Sequence, residues 1–284
     1  MKYKKIFALA VVLTLILLTG CADSHNSYSK AGPSSSANLQ TATSASSSPT
    51  PAITDERTTA SGSTLGTECS GFQFEESSYV NGAITIKYPQ IVNLSDKELQ
   101  NRLNKIIADS ALRNLPIIQD DSTLNEYDIT SKVTYSNASL ISIIFAGYSY
   151  YKQAAHPNQF LYTVTIDVKN EQAITIRDLV KIDDKFVSVM IAGHYSTMMD
   201  YEMTSDIISS IRDYLNDLGT EYWILELKNA DTSDYDTASY LTEDALAISV
   251  SVPHVMGDHI EILLPYKDLK DFKTDSPLWD VLHP

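Results

Sequence analysis

The stretch from Ala22 to Gly66 sets the first limit on what this chain can fold into. It is Ser, Thr, Ala, Pro and Gly with almost no large apolar side chain, as in Pro33-Ser34-Ser35-Ser36 and Ser46-Ser47-Ser48-Pro49-Thr50-Pro51. Such a segment cannot bury enough apolar surface to offset the entropy of ordering it. A disordered tether is therefore expected over residues 21–71, with a root-mean-square span of roughly 35–40 Å as a flexible coil and about 150 Å at full stretch. Folding falls to the residues from Phe72 onward. About 210 residues suit one large domain or two small ones in contact.

Upstream of the tether, Met1-Lys2-Tyr3-Lys4-Lys5 carries three positive charges, and an apolar run from Ile6 to Leu18 follows. The run is too short to span a bilayer as a helix, which takes about 20 apolar residues. It matches instead the basic and apolar regions of a secretory signal. Leu18-Thr19-Gly20-Cys21 then resembles a lipobox, so residues 1–20 read as a lipoprotein signal peptide and Cys21 as the acylated first residue of the mature chain. Two acyl chains suffice for stable anchoring, each buried CH₂ contributing about 0.8 kcal/mol. The expectation is a palmitate-type anchor in the bilayer, with the rest of the chain on the extracytoplasmic face of a bacterial membrane.

Loss of the signal peptide removes three lysines, leaving 18 basic against 36 acidic residues and a net charge of −18. That surface disfavours nucleic acid and attracts basic partners, although many exported domains are acidic simply for solubility. With Cys21 consumed by lipid, Cys69 has no intramolecular disulfide partner and is expected to stay free.

The ordered part reads as strands and helices in blocks. Phe72–Val80 and Ala83–Ile91 alternate like strands around Asn81-Gly82, a favoured hairpin turn. Ser95 and Glu98 form a capping-box pattern, predicting a helix over Ser95–Leu115 with Ser95 as its N-cap. Strands follow at Tyr127–Ser136 and Ser139–Tyr151. In Phe160–Val168 the apolar residues 160, 162, 164, 166 and 168 alternate with Thr163, Thr165 and Asp167, which predicts a sheet packed on one face only. A helical region over Arg177–Leu218, broken near 200–204, precedes strands at Glu221–Lys228, Ala245–Val252 and His259–Pro265, and Tyr266–Phe272 reads as a short closing helix. The fold class is α+β, a largely antiparallel sheet packed on one face by helices.

Several motifs resemble a known family. Tyr148-Ser149-Tyr150-Tyr151, Ala154-Ala155-His156-Pro157-Asn158, Ile174-Thr175-Ile176-Arg177-Asp178-Leu179, Tyr240-Leu241-Thr242-Glu243-Asp244 and Leu264-Pro265-Tyr266-Lys267 are similar to domain-of-unknown-function family 3298. The segment around Tyr88-Pro89-Gln90-Ile91 resembles family 4163, its usual N-terminal neighbour. The resemblance implies two subdomains, 72–158 and 159–284, of the kind found in RsiV-like extracellular domains, some of which bind lysozyme. It implies a wall-facing binding or sensing module. Only five residues precede the apolar run, so no sigma-binding segment is expected, and no deacetylase domain is recognised.

Among candidate ligand-binding residues, Tyr148, Tyr150, Tyr151, His156 and Asn158 cluster on one loop and its flanks, a suitable set for sugar or protein contact. The plainer expectation is that His156 bonds a nearby carbonyl and fixes the turn. His254 and His259 with Asp258 and Glu261 match no metal-ligand spacing, and Asp231, Asp234, Asp236, Glu243 and Asp244 match no calcium loop, so a solvated acidic loop is expected there. Ser149-Tyr150-Tyr151-Lys152 formally fits SxxK but lies at a strand end, where the helical return that chemistry needs is missing. No catalytic residues, metal or cofactor are therefore expected. The partners foreseen are the bilayer, peptidoglycan or a basic secreted protein such as lysozyme. The alternative is a cell-envelope hydrolase with its site around His156, with an acid such as Asp167 as its partner.

Overall fold

A computed structural model describes residues 71–197, 202–232 and 236–282. Cys21, Cys69, Asp234, the signal sequence and the tether lie outside the described residues.

The first sheet has six strands in sequence order: β1 (Gln73–Asn81), β2 (Ile84–Val92), β3 (Leu124–Ser136), β4 (Leu140–Tyr151), β5 (Asn158–Asp167) and β6 (Gln172–Ile174). All neighbours are antiparallel except β2 and β3. That parallel step follows from helix α1 (Lys97–Ala111), which carries the chain across the sheet. The first hairpin closes one residue later than expected: Asn81 pairs with Ile84, and Gly82 takes a left-handed φ of 58° as the first central residue. Gly147 serves a different need. A Cβ there would lie 1.9 Å from the Asp128 carbonyl oxygen, so β4 passes β3 at a distance that only glycine permits.

Asp96, not Ser95, caps α1: its Oδ1 accepts the Leu99 N–H at 2.9 Å. The helix ends at Ala111 rather than Leu115, and the short helix α2 (Leu115–Ile118) begins at Leu115-Pro116. Leu103, Ile107 and Ala111 of α1 are fully buried against Ile143, Phe145, Tyr162 and Val164 of the sheet.

After β6 come α3 (Ile176–Leu179), α4 (Asp184–Ala192), β7 (His194–Ser196), α5 (Ser205–Leu218) and α6 (Thr220–Asn229). Strands β8 (Ala238–Leu241), β9 (Ala245–Ser251) and β10 (His259–Pro265) complete a second, antiparallel sheet ordered β7-β10-β9-β8. Residues 221–228, expected as a strand, are helical. Their β-favouring Tyr, Trp and Ile mask a four-residue period, in which Trp223 and Leu227 are buried while Tyr222 and Leu225 face out. The Trp223 indole N–H donates to the Leu215 carbonyl at 2.8 Å, tying α6 to α5. The closing segment is a 3₁₀ turn over Tyr266–Leu269.

The layers run α1, first sheet, second sheet, helices. One core lies between α1 and the first sheet, and another between the second sheet and α4–α6. Between the sheets sits a thin apolar cluster of Ile144 and Leu161 against Ala238, Tyr240 and Ala247. Thr163, Thr165 and Asp167 were expected to face solvent, yet each is at most 6 % exposed. The second sheet covers them, and Ser142 links the two sheets. Ser142 Oγ and Thr165 Oγ1 lie 2.8 Å apart, and the Leu241 N–H donates to Ser142 Oγ at 3.0 Å. The first sheet also runs across the expected division at 158/159, since β5 and β6 belong to it.

Candidate functional site

Strand β5 is bordered differently on its two sides. Against β4 it pairs over its whole length, whereas β6 reaches only Thr165, Ile166 and Asp167. From Asn158 to Val164 the other edge has no strand beside it among the described residues. The Gln159 N–H donates to Asp258 Oδ2 at 2.9 Å, which shows that residues 159, 161 and 163 turn their main chain outward. The pairing of Thr165 and Asp167 with β6 follows the same alternation.

A cleft of about 460 Å³ opens along this edge. Tyr127, Tyr151, Phe160 and Tyr162 form its aromatic wall, with Asn114, Asn158, Asp236, Ser251 and His259 as polar members. A second cavity of about 400 Å³, lined by Ile106, Thr163, Thr165, Ala173 and Asp231, continues along the strand. Arg113 lines both. Its guanidinium sits 4.4 Å from the Tyr162 ring centroid, and its buried Nε has no hydrogen-bond partner among the described residues. Burial lowers its pKa, opposed by the phenols of Tyr162 and Tyr127 and by Asp231 and Asp236. The wall itself is fixed: the Tyr162 hydroxyl donates to the Ala111 carbonyl at 2.7 Å, and Asn114 Nδ2 donates to the Tyr127 hydroxyl at 3.1 Å. Burial raises the pKa of both phenols, so they stay protonated.

Of the residues singled out in the sequence, Tyr151 and Asn158 line this cleft. Tyr148 and Tyr150 project from the opposite face of β4, and the Tyr148 hydroxyl donates to Glu126 Oε1 at 2.7 Å. His156 lies exposed on the β4–β5 connection, its Nδ1 3.1 Å from the Pro157 carbonyl oxygen. Its ring stacks on His254, centroids 3.5 Å apart and planes 6° apart. His254 Nδ1 is 2.9 Å from Asp258 Oδ1, so Asp258 joins the β9–β10 turn to the start of β5. Asp167 is engaged elsewhere, accepting from the Asn170 N–H and side-chain amide. Lys152 Nζ donates to the Ser122 carbonyl, and Ser149 belongs to an extended strand, so the SxxK match has no helical return.

Two arrangements were missed. Asp231 was assigned to a solvated acidic loop, but its carboxylate is an internal tie at a left-handed φ of 68°. It accepts the Ile176 N–H and the Ser239 hydroxyl, each at 2.8 Å, together with the Ser239 N–H. Burial raises its pKa against these donors. Strand β8, fully buried, lies within the same supposed loop. The second is a buried pair: His259 Nδ1 lies 2.8 Å from Glu261 Oε1. Glu261 Oε2 and the Ser249 hydroxyl, on register-paired residues, have no partner among the described residues. The alternation His259-Ile260-Glu261-Ile262 was the available signal, because period two puts both ionisable groups on one strand face. Nothing around Arg113 marked it in the sequence.

No family model and no curated protein matches the chain. Among solved structures it is similar to a member of the DUF3298 family from Bacteroides fragilis, at 15% identity and a TM-score of 0.46, covering 73% of this chain and 96% of that one. It is also similar to a DUF3298 family protein from Pseudomonas aeruginosa, at 13% identity and a TM-score of 0.41, covering 72% and 94%.

Proposed function

We propose that the chain is a membrane-anchored extracytoplasmic lipoprotein, held by acylated Cys21, whose folded part binds a wall-derived ligand or a cationic protein. The observation that carries the binding reading is the cleft along β5, where Tyr151 and Asn158 meet the aromatic wall of Tyr127, Phe160 and Tyr162. Aromatic faces beside amide side chains suit ligands that offer both apolar surface and hydrogen-bonding groups. The anchor rests on the lipobox-like Leu18-Thr19-Gly20-Cys21. Calorimetry at low salt, with soluble wall fragments and with a basic wall-active protein, tests the reading. Binding that weakens in Tyr151→Ala and Asn158→Ala supports it, and no heat with either ligand class sinks it. For the anchor, Cys21→Ser should abolish labelling by a fatty-acid analogue.

One observation favours a hydrolase instead. His259 lines the cleft while buried Glu261 holds its Nδ1, an arrangement that orients an imidazole for proton transfer. On this second reading the candidate base is His259, whereas the sequence suggests His156. Turnover of wall fragments that disappears in His259→Ala would establish it.

A further inference from the structure

We propose that the free edge of β5 takes up a short extended peptide as an added strand, with the peptide's C-terminal carboxylate held by Arg113. The inference rests on the binding reading above and names the chemistry of the ligand.

Three observations converge. First, Leu161 and the Gln159 carbonyl turn main-chain groups toward a cleft rather than toward another strand. An unpaired strand edge is a template for β-augmentation, in which main-chain bonds supply affinity. Second, the edge has a built end. Beyond Tyr162, Asp231 closes against Thr163, whose hydroxyl lies 3.5 Å from Asp231 Oδ1, and β6 pairs from Thr165 onward. A peptide entering near Asn158 and running parallel to β5 must therefore stop at Arg113. Residues 159–163 span about 13 Å, room for about four peptide residues.

Third, Arg113 is a half-buried cation whose nearby carboxylates, Asp231 and Asp236, form no close ion pair with it among the described residues. Its Nε is buried without an acceptor among the described residues, and its guanidinium carbon lies over the Tyr162 ring. The neighbouring Asp231 carboxylate is already saturated by Ser239 and Ile176. A guanidinium in this state pairs best with a planar carboxylate, which accepts two parallel N–H bonds. At the other end Asp258, beside the Gln159 N–H, also lines the cleft, which matches a basic side chain early in the peptide.

The experiment uses the full-length chain in detergent micelles and acetyl-Val-Lys-Val-Ala as the free acid or the C-terminal amide, read by calorimetry. The acid should bind at least about tenfold more tightly than the amide, the scale of one charge-assisted bond. Arg113→Gln should reduce the acid to the amide's affinity, and Arg113→Lys should restore part of the difference. N-methylation of the peptide, read on the unmodified protein, separates strand addition from simple charge capture. Methyls on alternate amides should abolish binding, and those on the intervening amides should be tolerated. Equal affinity of acid and amide, uniform tolerance of N-methylation, or no binding of either peptide would overturn the proposal. If the peptides fail while wall glycan fragments bind, the peptide inference falls and the binding-module reading stands.

Discussion

The two faces of the six-stranded sheet solve the same packing problem with opposite chemistry. Toward α1 the sheet presents Ile143, Phe145, Tyr162 and Val164, and the helix answers with Leu103, Ile107 and Ala111. Toward the second sheet it presents Ser142, Thr163, Thr165 and Asp167 around a small apolar cluster, and Ser249, His259 and Glu261 answer from β9 and β10. Both faces are buried. The first gains its stability from apolar area, while the second depends on hydrogen bonds for most of the polar atoms it removes from water. A polar seam contributes less energy but helps fix how the two sheets meet, because the Leu241 N–H finds its acceptor in Ser142 Oγ, itself held by Thr165.

The comparison is most exposed to a large deletion on the apolar face. Phe145 is fully buried and stacks on Tyr162 with centroids 5.1 Å apart. Phe145→Ala should cost about 3–5 kcal/mol in urea denaturation, and a cost near that of a surface change would remove the claim that this face holds the fold. Asp231→Asn tests the polar tie that joins α3, β5 and β8. An amide cannot accept at both oxygens, so buried donors at Ile176 or Ser239 lose their acceptor, at about 2–3 kcal/mol. Were the residue merely part of a solvated loop, the midpoint would not move.

Ser142→Ala addresses the seam directly. It leaves the Leu241 N–H and Thr165 hydroxyl short of a partner, for about 1–2 kcal/mol. A loss as large as that of Phe145→Ala would show that the seam, not the apolar face, dominates. The smallest effect belongs to the exposed Arg102–Glu171 pair, which ties α1 to the β5–β6 turn. The hydrogen bond from Arg102 holds the Glu171 carboxyl below the usual carboxylate range. Its contribution is therefore present at neutral pH and lost as pH falls through that lowered value. Glu171→Gln should shift the melting midpoint only slightly at neutral pH and not at all in strong acid, measured by circular dichroism.

Parts of this architecture were legible because the signal was local. The β1–β2 hairpin and the alternation of β5 depend on residues close in sequence. The helix at α1 was found for the same reason, although its cap moved one residue from Ser95 to Asp96, since adjacent residues can both cap and the backbone decides which one faces the free N–H groups. Residues 221–228 misled because Trp, Tyr and Ile favour strands, while burial of Trp223 and Leu227 against α4 and α5 overrides that preference. At the candidate site, Tyr151 and Asn158 were found as polar and aromatic residues near a loop, but Arg113 was not. A lone arginine after a helix carries no pattern, and its significance arises only from being buried beside Tyr162 without an acceptor.

The sequence by itself determined the apolar-poor tether region, the lipobox-like Cys21, the acidic balance and the period-two and period-four stripes that make two sheets and their helices. Each follows from composition or short-range spacing. Tertiary structure alone decided that the hydroxyl face of β5 would be buried, that His156 would stack on His254, that Asp231 would become an internal acceptor and that one stretch of β5 would stay unpaired beside Arg113. These depend on which distant segments come together, and pairing over such separations is set by the packing of whole layers rather than by any local preference.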